Sequence, residues 1–292
     1  MQNNEELRIN WFPGHMVKTL RTIEAEIKLC DVIVYMLDAR CALSSLNPKF
    51  DEIMMRKPVL FILNKADLAS QNTMDDFKRS QEFLEIKRKK KDDVAVISMD
   101  STLSGATKKA VGAIQRLLAS RIEAQKNRGI TKTIRTIVIG VTNSGKSTFI
   151  NNLSNKGKTL TGDRPGVTRT KQWVRSSDNF WVLDTPGTLW PSFDVPQVAK
   201  NLAYVGSIKD DILDIVALSR ALISDLESLN AGSVAKRFGA MDFDEICRKR
   251  GYILKGGELD HLRAAKAILV EFRAGKIGRF NLDRLISRGV ID

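Results

Sequence analysis

The sequence predicts an α/β protein: a doubly wound, mostly parallel sheet followed by a small all-α C-terminal unit. Three observations carry that prediction. Short apolar, β-rich runs recur at Val32–Leu37, Val59–Leu63, Val94–Ile97, Thr136–Ile139 and Phe180–Leu183. Strands that are apolar on both faces belong to a sheet covered by helices on each side. Helix-like stretches separate these runs, as βαβ crossovers require. After Pro196 the strand signal stops, and residues 207–229 and 258–274 show only helical periodicity, with breaks at Gly251, Gly256-Gly257 and Gly275.

The elements follow in order. Asn10-Trp11-Phe12-Pro13-Gly14-His15 contains a Pro-Gly turn signal. A helix is expected next, with Val17, Leu20, Ile23 and Ile27 on one face. The run Lys87–Lys91 before the third strand reads as a solvated helix end or loop, and residues 106–126 as one helix closed by Asn127-Arg128-Gly129. The expected organisation is an N-terminal segment over 1–20, the α/β domain over 21–204 and the helical unit over 205–292.

Composition narrows the function classes. The chain has 292 residues, is 43% hydrophobic and carries a net charge of +13. Of that charge, +11 falls within residues 101–200, and Lys108 to Arg175 is the densest basic stretch. Such a field attracts polyanions, and with few aromatic residues interleaved it would read phosphates rather than stack bases. Three widely spaced cysteines, Cys30, Cys41 and Cys247, suit neither a disulfide framework nor a zinc site. No apolar run approaches a membrane span and the polar N-terminus is no signal peptide, so the expectation is a cytoplasmic protein without membrane contact.

Gly140-Val141-Thr142-Asn143-Ser144-Gly145-Lys146-Ser147 fits the P-loop pattern between a strand and a helical run. The inward-turned backbone from Asn143 through Ser144, Gly145, Lys146, Ser147 and Thr148 would cradle phosphates at a helix N-terminus. Lys146 would reach the β/γ-phosphates and assist catalysis, and Ser147 would bind Mg²⁺. Asp184-Thr185-Pro186-Gly187 ends the last strand run, placing a carboxylate, Asp184, to anchor Mg²⁺ and Gly187 to offer its N–H to a γ-phosphate. Between these motifs, Thr168 is placed to close over Mg²⁺ as a switch residue.

Asn64-Lys65-Ala66-Asp67 follows a buried strand run. Asp67 can accept two hydrogen bonds from the guanine edge, a donor pair that adenine lacks. Lys65 can lie over the base, and Asn64 can tie its loop to the P-loop. Ser98-Met99-Asp100 could supply a backbone N–H to guanine O6. The site residues therefore call for GTP or GDP with Mg²⁺. Their order is rotated: the base-recognition motif comes before the P-loop, so the G domain is circularly permuted, with its new connection inside residues 105–135.

With this motif order, with Trp11-Phe12-Pro13-Gly14-His15-Met16, and with the stretch from Arg250-Gly251-Tyr252 to Gly278-Arg279, the chain resembles the YlqF-type circularly permuted GTPases, the ribosome biogenesis GTPase A family. The resemblance spans about residues 9 to 290. It implies a circularly permuted P-loop GTPase domain, a GTPase that assembles the large ribosomal subunit, and binding to its ribosomal RNA; the helical unit, with Arg248-Lys249-Arg250 and Lys276 to Arg279, is the expected docking element, and the basic stretch Lys108 to Arg175 is the other region that could make the contact. It points to His15 as the water-orienting catalytic group, because Thr188 stands where many GTPases place Gln. It also points to Asn143 as a K⁺ ligand beside the phosphates. A monomer is expected. The alternatives are a permuted GTPase of the small subunit or an organellar ribosome, a P-loop phosphotransferase with a small-molecule acceptor, and an RNA-binding scaffold with a vestigial site.

Overall fold

The computed structural model describes residues 15–129, 133–154, 172–175, 180–190 and 193–286. Trp11 to Gly14 and Thr168 lie outside the described residues, and of His15 only the backbone is described. The first half of the chain forms α1 (His15–Glu26), β1 (Val32–Asp38), α2 (Asp51–Met55), β2 (Val59–Asn64), α3 (Thr73–Arg79), α4 (Gln81–Lys90), β3 (Val94–Met99), α5 (Ala106–Leu117) and α6 (Ala119–Lys126). Next come β4 (Ile134–Gly140), α7 (Lys146–Ser154), β5 (Gln172–Arg175) and β6 (Phe180–Asp184). The helices α8 (Pro196–Tyr204), α9 (Ile215–Leu229), α10 (Ser233–Phe238), α11 (Phe243–Lys249) and α12 (His261–Arg273) complete the fold.

Among the described residues, six strands form one sheet in the order β3-β2-β1-β4-β6-β5, parallel except for β5. Strand alternation divides its two faces. Ile33, Tyr35 and Leu37 point to a core shared with Ile23, Phe77 and Phe83 from α1, α3 and α4. Val32, Val34 and Met36 point to the other core, with Ala110 and Ile114 of α5 and Phe149 of α7. Both cores are aliphatic and aromatic, which is why β1 and β2 lack a polar period.

A third cluster joins α8, α9 and α12 through Leu202, Tyr204, Leu218, Leu222, Ile268 and Phe272. Met16, Val141, Leu189 and Trp190 from the G domain enter the same cluster. Helix α8, on the near side of residue 205, is thus packed with the C-terminal helices.

Four local details differ from the sequence expectation. The inner face of α1 is set by Met16, Thr19, Ile23 and Ile27, and Val17 is exposed, because it sits off that stripe. Residues 106–126 form two helices, parted at Leu118, whose backbone leaves helical geometry. Strand β3 runs on to Met99, so Ser98 pairs with Leu63 inside the ladder. Strand β5 gave no clear signal: it has four residues and pairs on one side only, antiparallel to β6.

The chain lays down β1, β2 and β3 to one side, then returns through β4 to the other side of β1. Strand order reverses there, and the carboxyl ends of β1, β2, β4 and β6 open on one crevice, where doubly wound sheets bind ligands. The P-loop strand is central in space yet fourth in sequence.

Candidate functional site

Each strand end delivers one piece. Strand β4 ends at Gly140 and α7 begins at Lys146, so the P-loop spans the gap between sheet and helix N-terminus. Lys146 is 6% exposed. Its Nζ donates to the carbonyls of Val141 (2.6 Å) and Gly140 (3.1 Å). Burial pulls this ammonium down to about 8, and the Asp184 carboxylate acts in the opposite direction. A cation held on carbonyls can exchange them for phosphate oxygens, which bind it more strongly.

The end of β2 is locked to the P-loop. Asn64 Nδ2 donates to Ser144 O (2.8 Å), and Asn64 Oδ1 accepts from the Ser101 amide (2.9 Å) and hydroxyl (2.7 Å). A Cβ on Gly145 would collide with Asn64 Nδ2, and φ at Gly145 is +94°, so only glycine fits there. Lys65 adopts a left-handed backbone, φ 58°, which aims its Nζ at Asn143 O (2.6 Å) and Asp38 Oδ2 (3.0 Å). Asp67 sits exposed in the next turn, so its carboxylate is open to a ligand. Ser98 O accepts from Lys109 Nζ (2.6 Å), and the contact from this loop to Asn64 is made by Ser101.

At the end of β6, Asp184 is fully buried beside Val138 of the P-loop strand. Thr185 Oγ1 donates to Val138 O (2.6 Å). The turn then presses against the P-loop: a Cβ on Gly187 would lie 2.6 Å from Thr142 Cα and 2.7 Å from its nitrogen. Thr188 is fully buried, and its hydroxyl accepts from Asn47 Nδ2 (3.5 Å). Leu189 N donates to Met16 Sδ (3.3 Å), which fixes the start of α1 against this turn.

Several members of the site carried no recognised motif. Asp38 and Arg40, both about 2% exposed or less, form a two-pronged ion pair through Arg40 Nε (2.9 Å) and Nη2 (2.7 Å). Burial alone would raise the Asp38 carboxyl, but Arg40 and Lys65 hold it well below the usual carboxylate range. Arg40 Nη1 reaches on to Arg273 O (3.3 Å) in α12. Arg273 in turn grips Asp210 with two bonds of 2.7 Å and caps α8 at Ala203 O and Tyr204 O, both 3.0 Å. The P-loop meets the same turn: Asn143 Nδ2 donates to Gly206 O (2.7 Å), Ser207 Oγ to Thr142 O (2.9 Å), and Thr142 Oγ1 to Ser207 O. The available signal was a carboxylate at the carboxyl end of a buried parallel strand, Asp38.

Ser147 and Asp184 offer a hydroxyl and a carboxylate, the oxygen donors that Mg²⁺ accepts alongside substrate phosphates. The site therefore fits Mg²⁺ by donor chemistry. Thr168, the remaining expected magnesium ligand, lies outside the described residues.

Residues 135–235 match a family model described as a 50S ribosome-binding GTPase. Ribosome biogenesis GTPase A of Priestia megaterium is 35% identical, covering 95% of this chain and 97% of that one. The chain belongs to the ribosome biogenesis GTPase A family. The Thermotoga maritima member is 31% identical over 94% of each chain, and mitochondrial ribosome-associated GTPase 1 of Bos taurus is 29% identical over 96% of this chain and 90% of its own. A crystal structure of GNP-bound YlqF from Thermotoga maritima shares the fold, with a TM-score of 0.62 at 24% identity over 91% of this chain and 97% of that one. As a member of this family, the protein is a GTPase of ribosome assembly that binds GTP and GDP and hydrolyses GTP. No described helix is long and apolar enough to cross a membrane.

Proposed function

We propose that this GTPase docks on the large ribosomal subunit, contacts its RNA in the GTP state and leaves after hydrolysis. The observation that carries this reading is continuity between the site and the helical unit. Leu189 and Trp190, two and three residues past Gly187, are buried in the core of α8, α9 and α12. A γ-phosphate that moved Gly187 would move side chains inside that core, so nucleotide state would reset the helical surface. The match to a family described as 50S ribosome-binding supports the large subunit. The helical unit offers exposed cations for RNA at Arg248, Lys276 and Arg279.

In this reading Asp67 takes the guanine edge, Lys65 covers the base and Asn64 holds the two loops together, with the backbone of Ser98 and Met99 beside the purine. The P-loop from Asn143 to Thr148 and the Gly187 N–H take the phosphates. Ser147, Asp184 and Thr168 hold Mg²⁺, Asn143 contributes to a K⁺ site, and His15 orients water. The burial of Thr188 against Asn47 supports a water-orienting group from elsewhere in the chain.

Co-sedimentation with separated ribosomal subunits tests the proposal, comparing GDP with a non-hydrolysable GTP analogue. The expected result is selective retention on the large subunit with the analogue. Equal binding in both states, or preference for the small subunit, would overturn it.

A further inference from the structure

The parallel strands that open at the nucleotide crevice all begin at the opposite edge of the sheet. That edge has a floor of its own, stitched together by segments distant in sequence. Asp31 N donates to Arg135 O (2.8 Å), and Arg135 N returns a bond to Asp31 Oδ2 (2.9 Å). Val59 N donates to Asp93 O (2.9 Å), and Arg121 Nη2 pairs with Asp93 Oδ2 (2.7 Å). Lys90 Nζ donates to Met54 O and Lys57 O, both 2.7 Å, and Lys57 Nζ to Lys28 O (3.4 Å).

Cations crowd this floor. Lys28, Arg56 and Arg135 stand exposed where β1, β2 and β4 begin, and the end of α4 with its cap Lys91 forms a run of five consecutive cations, Lys87–Lys91. Folding accounts for part of the run: Lys90 caps carbonyls, and one or two charges at a helix C-terminus gain from its dipole. Lys87, Arg88, Lys89 and Lys91 are exposed, and among the described residues none of them forms an ion pair. Of the nearby acids, Asp93 pairs with Arg121, Asp31 takes the Arg135 amide and Asp51 faces Lys89, while Glu85 and Asp92 flank the run and leave it with a net positive charge. Neighbouring like charges repel one another, so five in a row exceed what the helix dipole and the contact with Asp51 can use.

The chemistry that fits is a rigid row of phosphates. The exposed large apolar residues of this face include the aliphatic Leu29 and the thioether Met55, with the ring of Trp181 beside Arg135 near the start of β6. One described ring gives neither a row of stacking partners for single-stranded bases nor an aromatic belt for a membrane interface. The six residues of β2 separate this face from the nucleotide crevice by about 20 Å.

We propose that the strand-start face is a second RNA-binding surface, independent of nucleotide state, that grips the phosphate backbone of a structured RNA on the side away from GTP. The choice of RNA rests on the ribosome-directed reading above. With the helical unit on one RNA segment and this face on another, the G domain becomes a bridge between them.

The test is fluorescence anisotropy of a labelled 20-bp RNA duplex with the full chain, across a salt series, in GDP and in a GTP analogue. Lys87→Gln, Arg88→Gln, Lys89→Gln and Lys91→Gln together should lower affinity at least tenfold in both states. They should flatten the log–log salt dependence by up to about 3.6, about 0.9 for each of the four lost phosphate contacts, and leave GTP hydrolysis without RNA unchanged. Unchanged affinity and slope would overturn the proposal. So would an equal loss from neutralising Lys18, Lys49, Lys78 and Arg79, which would show an effect of net charge alone. Stronger binding to phosphatidylserine vesicles than to the duplex, lost in the fourfold variant, would mark a membrane surface and also overturn it. Failure of the unmodified protein to sediment with large subunits would sink the functional reading but leave the duplex result standing.

Discussion

Met16 determines where its neighbour stands. Its side chain is 1% exposed, and its sulfur accepts from Leu189 N, so the start of α1 is pinned to the D-T-P-G turn. His15 opens that helix. Thr188, one residue past the turn, has its hydroxyl turned inward to Asn47. His15→Ala is therefore expected to lower the GTP hydrolysis rate by about a hundredfold or more, the usual worth of a positioned acid–base group, with GTP affinity nearly unchanged. Phosphate release paired with titration of a fluorescent GTP analogue measures both, and an equal loss of affinity would make His15 a nucleotide contact. Residues such as Lys146 and Asp67 were legible in the sequence because phosphate and guanine chemistry allow few alternatives at those spacings. Asp38 and Arg40 were not, because what makes them matter, Lys65 and the Arg273 carbonyl, comes from remote segments.

Among the elements, the P-loop is gripped from two sides. Asn64 and Lys65 hold Ser144 and Asn143 from β2, while Gly206 and Ser207 hold Asn143 and Thr142 from the turn after α8. The Asn143 amide nitrogen is committed to Gly206 O, which orients the side chain and so the oxygen that a cation would use. GTP hydrolysis is expected to run at least several-fold faster in K⁺ than in Na⁺, and Asn143→Ala to abolish the difference. Equal rates for the unmodified protein in the two salts would remove Asn143 from any cation site. Strands β1, β2, β4 and β6 were legible because burial on both faces enforces continuous apolar runs. Strand β5 was not, because a four-residue edge needs no such run.

At the scale of the whole molecule, one buried carboxylate binds the C-terminal segment to the G domain. Asp283 accepts from Leu43 N (2.7 Å), Ser44 N (3.0 Å) and Ser44 Oγ (2.7 Å), while Asn201 links Ser44 to Leu282 O. Burial pushes the Asp283 carboxyl up to about 6, although these hydrogen bonds pull the other way. The folded state then holds its proton more tightly than the unfolded chain, so this contribution is complete below about pH 4 and is lost as pH rises through 6. Relative to Asp283→Asn, the unmodified protein should lose about 2 kcal/mol of stability between pH 4 and 7, as read from urea unfolding. A difference independent of pH would refute this. The helical unit was legible from periodicity, but its shared core with Met16, Leu189 and Trp190 was not, since periodicity shows a buried face and not what covers it. The permuted strand order also has a consequence during synthesis. Strand β1 is buried along its whole length between β2 and β4, yet β4 begins only at Ile134. At roughly 5–20 residues per second, the nascent chain carries the base-recognition half with one apolar strand edge open for several seconds before its partner emerges. An open edge of that kind is a template for pairing with other chains, so the newborn protein is most vulnerable to aggregation before its phosphate-binding loop exists.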